Sequence, residues 1–247
     1  IQHTFLYYSY IMALPKIAKI TYELVIPSTG KKIKYRPFLV KEEKILILAQ
    51  ESGNQLEMTK AIKEVIDACV QSRGFKVDTL ATFDLEYVFL NIRGRSVGES
   101  VDVIITCPDD EKTTVPVTIF LDEIEVVFDP KHEPNIKLDD TYSVKMKYPT
   151  MEQVMSADTD DISVQQSLEM IAKCIDQIYS EEESFAGSDS TLKELTAWVE
   201  DLEPKQFSKL ETFFTTMPKL SHTIDITNPE TGIESSVVLE GLGSFFA

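Results

Sequence analysis

A reaction or a metal site needs titratable or soft side chains that converge. This 247-residue chain offers three histidines, three cysteines and 41 carboxylates. His3, His132 and His222 stand far apart, and no histidine–cysteine cluster has metal-ligand spacing. Cys69, Cys107 and Cys174 are an odd, sparse set; they make no disulfide framework and fit a reducing cytosol. Gly94-Arg95-Ser96-Val97-Gly98 lacks the lysine and the preceding strand of a phosphate-binding loop, and no Gly-x-Ser-x-Gly elbow occurs. With so many carboxylates and nothing to anchor a pair, no general acid–base couple stands out. The expectation is no catalytic residue, no cofactor and no metal ligand: this is not an enzyme.

The nearest thing to a site is a pair of similar turns. Thr106-Cys107-Pro108-Asp109-Asp110 and Thr227-Asn228-Pro229-Glu230-Thr231-Gly232 each form a proline-containing tip after the first strand of a hairpin. Arg93, Arg95 and Glu99 surround the link between an apolar helix and a strand. Arg93 suits the helix dipole, whereas Arg95 is either a local partner of Glu99 or a contact to another protein. At the far end, Phe245 and Phe246 must dock somewhere, on the last hairpin or on another subunit.

The elements that must position these residues are legible in outline. Tyr22 to Ile26 and Lys31 to Tyr35 flank the turn Pro27-Ser28-Thr29-Gly30 and predict a hairpin. Helix is predicted from about Lys41 to Glu51. The next helix carries Ile62, Val65, Ile66, Cys69 and Val70 on one face and is closed by Arg73-Gly74; it predicts a buried, inert Cys69. A third helix, about Thr82 to Arg93, is apolar nearly all round, so it needs cover on most sides, from the core or from a partner. Extended segments follow at 100–106, 114–120, 124–128, 135–138 and 142–148, predicting a small antiparallel sheet. Beyond Pro149, Thr150 with Gln153 and Thr191 with Glu194 form capping boxes. Val164, Leu168, Ile171, Ile175 and Ile178 follow a helical rhythm, and 180–190 reads as an acidic loop. Pro204 opens a last helix, and 221–226 with 234–239 forms a final hairpin. The expected class is α+β, with an α+β part over 13–148 and a mainly helical part with a terminal hairpin over 149–247.

Charge narrows the partners. The net charge is −17, which opposes nucleic-acid binding, and apolar residues at 43% are enough for a sizeable core. Residues 12–44 hold eight Lys or Arg against three Glu, and 151–203 hold fourteen Asp or Glu against two Lys. Such a polarity either keeps two faces solvated or steers docking. No apolar run reaches the length of a membrane span. The aromatic-rich Ile1 to Ile11 carries no Lys, Arg, Asp or Glu, and Met12 reads as the initiator, so 1–12 is expected to be a non-native or disordered leader; the alternative is an apolar arm that inserts into a neighbour.

The segments Tyr35-Arg36-Pro37-Phe38-Leu39-Val40-Lys41-Glu42-Glu43-Lys44-Ile45-Leu46-Ile47-Leu48-Ala49 and Phe89-Leu90-Asn91-Ile92-Arg93-Gly94-Arg95-Ser96-Val97-Gly98-Glu99 resemble the baseplate hub subunit family of T-even-type tailed bacteriophages. The terminal Leu239-Glu240-Gly241-Leu242 with Phe245-Phe246 completes a resemblance that runs from about Met12 to the end. It implies a structural subunit of the tail baseplate hub, acting in assembly through protein–protein contacts. Partners would be other hub and tail proteins and the tape-measure protein, in an oligomer or hetero-complex. The place would be the virion tail baseplate, reached through the host cytoplasm. The alternative is a tail-assembly chaperone for the tape-measure or hub proteins, absent from the mature virion. Expected partner contacts are Arg36, Arg95, Phe245 and Phe246. Some relatives in this resemblance carry paired cysteines at hairpin tips, like a zinc knuckle. Here the tips offer Cys107 with Asp110 and Asn228 with Thr231, one thiol where four soft ligands are needed, so no metal is expected.

Overall fold

The computed structural model describes residues 17–155 and 163–246; the leader expected at 1–12 lies outside them. The order begins with β1 (Tyr22–Val25), β2 (Lys32–Tyr35), α1 (Val40–Ser52), α2 (Gln55–Cys69) and α3 (Thr82–Gly94). It continues with β3 (Ser100–Thr106), β4 (Thr114–Phe120), β5 (Glu125–Val127), β6 (Asn135–Lys137) and β7 (Ser143–Met146). Then come α4 (Met151–Met155), α5 (Val164–Lys173), β8 (Ile175–Tyr179), β9 (Ser184–Ala186), α6 (Leu192–Glu200) and α7 (Pro204–Thr216). β10 (Lys219–Thr227), β11 (Glu234–Glu240) and α8 (Gly243–Phe246) close the chain. The class is α+β, and the strand pairs among the described residues are antiparallel.

The first core has α3 at its centre. Leu85, Val88, Phe89, Leu90 and Ile92 are all buried, against the apolar face of α2 and the β1–β2, β3–β4 and β10–β11 hairpins, while Phe83, also buried, meets Phe128 and Tyr148. The all-round apolar helix is thus covered by its own chain, and the surplus expected to meet a partner is not on the surface. α2 ends at Cys69 rather than near Gly74, because Val70 turns extended and bridges to Tyr35. Asp84 of α3 holds the first turn: Ser28 donates to its carboxylate through backbone N–H, at 3.0 Å, and through its hydroxyl.

The second core lies under a sheet of order β6-β7-β8-β9, packed on α5, α6 and α7. This sheet takes strands from both sides of Pro149, so the expected division at 148/149 falls within it. Ile175 and Ile178 do not continue the helix of Leu168 and Ile171; they lie on β8. Met146 pairs with Ile175 and Lys145 with Gln177, so Asp176 is an extra residue on the β8 side. In a regular strand, residues three apart face opposite ways. The bulge restores parity and lets both isoleucines be buried, which imitates helical spacing. The expected 180–190 loop likewise holds a strand, β9, followed by a 3-10 turn. Gly187 there is obligatory, since a Cβ would press on the Ile175 carbonyl oxygen.

An aromatic seam joins the two cores. The Tyr148 ring stands edge-on to Phe83 at 5.0 Å and stacks on Phe213 at 5.4 Å. His132 lies between Thr216 Oγ1 at 3.0 Å and the Tyr148 hydroxyl at 2.9 Å, and burial lowers its pKa. It packs as a structural ring within this seam.

Candidate functional site

The two proline tips, separate in sequence, meet in space and are built alike. In the first, Glu111 N–H donates to the Cys107 carbonyl at 3.0 Å; in the second, Gly232 N–H donates to the Asn228 carbonyl at 2.8 Å. Both chains then pass through the left-handed region, Glu111 at φ 55 and Gly232 at φ 73. Glycine suits that conformation; at Glu111 a side chain tolerates it.

A polar clasp joins them. The Asn228 amide donates to both Asp109 carboxylate oxygens at 3.0 Å, and the Thr231 hydroxyl donates to Oδ2 at 2.6 Å. Thr231 and then Asn228 hold the Asp109 carboxyl below its ordinary value. Asp110 is lowered too, chiefly by the Thr113 hydroxyl and then by backbone N–H groups of its own turn. Carboxylates saturated by donors are poor proton acceptors, so the tips are suited to fastening rather than to acid–base work. Among the described residues, no group of three or more His, Cys, Asp or Glu is placed to share a metal ion.

Asn228 is the buried member, 1% exposed, and its Oδ1 also accepts the Glu230 N–H at 2.9 Å. Asn228→Ala should therefore lower the unfolding free energy by about 0.5–1.5 kcal/mol, the net worth of a hydrogen bond, because water can reach the exposed partners it leaves. Urea denaturation reads this; an unchanged midpoint would mean the tips are held by something else.

The four expected contact residues have different fates. Arg36 is buried, 5% exposed. Its guanidinium donates to Glu42 Oε1 at 2.8 Å, to the Ala68 carbonyl at 3.0 Å and to the Pro37 carbonyl at 2.9 Å, with Cys69 Sγ at 3.6 Å. Burial alone would raise the Glu42 carboxyl, but Arg36, the Leu39 N–H and Lys41 hold it down at about 2. Burial pushes the Cys69 thiol up to about 11, so it is the inert thiol expected from its helical face. Phe245 is also buried, with no exposed surface, in the first core. Arg36 and Phe245 are thus both turned inward and packed within the chain itself. Arg95 is half exposed; it pairs with Glu99 and lies 5.3 Å over the Tyr22 ring. The Phe246 side chain lies outside the described residues.

What the sequence reading did not single out is the outer face of α1. Val40, Lys44, Ile47 and Leu48 recur at helical spacing and are exposed, Val40 at 79%. Their signal is the run Ile45-Leu46-Ile47-Leu48, four apolar residues that a single helical face cannot hide. Among the described residues, no helix is long and apolar enough to cross a membrane.

The comparisons agree with the resemblance. A family model described as T4 bacteriophage base plate protein matches residues 17–247. No curated protein and no solved structure matches the chain. With the match spanning nearly the whole chain, the chain belongs to the T4 bacteriophage base plate protein family.

Proposed function

We propose that the chain is a structural subunit of the baseplate hub, acting in baseplate and tail assembly through protein–protein contacts and without catalysis. The match over residues 17–247 carries this reading, since it puts the chain among proteins of the tail baseplate. The exposed apolar face of α1, flanked by Lys41 and Lys44, supports it as a surface that another protein would cover. Other hub and tail proteins, the tape-measure protein among them, are the partners, in an oligomer or hetero-complex that forms in the host cytoplasm and remains in the virion. The basic 12–44 and acidic 151–203 segments would steer those encounters.

Quantitative mass spectrometry of purified virions tests the reading. The chain's peptides are expected at a fixed ratio to other baseplate proteins. Their absence from virions, with presence in assembly intermediates, would replace the hub subunit by a tail-assembly chaperone.

A further inference from the structure

We propose that the cleft between α3, the Pro149 link and the facing ends of β10 and β11 is a socket for a lysine or arginine side chain of a partner protein, with the Glu86 carboxylate as counter-charge. The cleft has a volume of about 240 Å³. Phe83, Pro149, Met217 and Pro218 supply apolar lining, and Glu86 brings a carboxylate into it. Lys219, a cation that lines the cleft, is bonded to Glu240 at 3.0 Å. Glu86 Oε1 accepts the Leu242 N–H at a long 3.3 Å. The C-terminal turn thus grips the carboxylate: a Cβ on Gly241 would come within 3.2 Å of that oxygen.

The chemistry selects the ligand. A carboxylate among apolar groups is poorly solvated, and a cation on an aliphatic stem satisfies charge and lining together. Neutral groups leave the charge unanswered, and anions are repelled by a chain of net charge −17. A basic residue projecting from a neighbouring tail protein fits both the local and the overall field. The inference rests on the reading of this chain as a protein held by other tail proteins. The test uses the isolated chain, so its failure would leave that reading standing.

The probes are n-butylammonium and n-butylguanidinium, with n-butanol as the neutral control, titrated while the amide NMR shifts of 82–86, of Met217, Lys219 and Leu220, and of 240–242 are followed. Both cations should bind with millimolar affinity, and butanol about tenfold more weakly or not at all. Glu86→Gln, which keeps the shape of the side chain, should lose the preference for cations. A second readout needs no variant: burial pushes the Glu86 carboxyl up to about 7, so cation binding should be stronger at about pH 8 than at about pH 5.5. The other ionisable groups that line the cleft are Lys219 of β10 and Glu240 of β11. Equal binding of butanol and butylammonium, undiminished cation binding to Glu86→Gln, or no binding by any probe would each overturn the socket.

Discussion

Phe245→Ala is expected to lower the unfolding free energy of the isolated chain by about 3–5 kcal/mol, the range for removing a large aromatic ring from a packed core. The residue lies on the short helix α8, beyond the last hairpin. Its ring nevertheless has no exposed surface and shares a core with Leu85, Ile105, Ile119 and Leu242. The C-terminal turn is held from below as well, by the Leu242 N–H on Glu86 and the Gly241 N–H on the Leu220 carbonyl. The short helix α8 therefore packs against both β3 and β11. Chemical denaturation of the isolated chain measures the loss. A change under about 1 kcal/mol would show that the ring's main contacts lie on another protein, the other docking mode open to it in the sequence.

That ambiguity shows how the sequence reading succeeds and where it stops. A terminal Phe-Phe says that burial is needed; it carries no information about which surface provides it. Local signals fared better. The hairpin at Pro27–Gly30, the capping boxes at Thr150–Gln153 and Thr191–Glu194, and Pro204 at a helix start are all present in the structure. Each depends on neighbours within a few residues, so each is written in the local sequence. The strands from Ser100 to Met146 were legible for the same reason, through period-two alternation between turns. β8 was not, because a bulge at Asp176 changes the period, and the partner that defines a bulge lies on another strand.

The site divides in the same way. The similarity of the two tips was visible, and the structure gives them one loop form, with Glu111 and Gly232 at equivalent positive φ. Their meeting was not visible. The contact of Asp109 with Asn228 and Thr231 joins residues about 120 positions apart, through the packing of two separate hairpins. The Glu86 cleft was hidden for a like reason: its lining comes from four places in the chain, and a glutamate on an apolar helix reads equally well as solvated. Arg36, an expected partner contact, lies inside. Its inward turn depends on Glu42, which closes the first turn of α1 by accepting the Leu39 N–H.

Glu42→Ala should be as damaging as the loss of Phe245, by a different route. Glu42 is 2% exposed; it closes the first turn of α1 by accepting the Leu39 N–H at 2.8 Å and neutralises Arg36 at 2.8 Å. Removing it leaves a buried guanidinium uncompensated, which costs about 3–5 kcal/mol. The carboxyl's fall from 4.5 to about 2 corresponds to roughly 3 kcal/mol of preference for the charged form, in the same range. Because the folded-state value is the lower one, the contribution is fully present above the unfolded value. It is lost as pH falls from about 4.5 toward 2. The difference between wild type and Glu42→Ala should thus be constant near neutrality and shrink in acid. Adding Arg36→Met to Glu42→Ala should recover part of the loss, since the orphaned charge goes with it. Urea titrations of the four proteins, at neutral and acid pH, give the coupling directly. Additive losses from the two substitutions would mean that Arg36 is neutralised elsewhere, and that the buried pair does not hold the β2–α1 corner against α2.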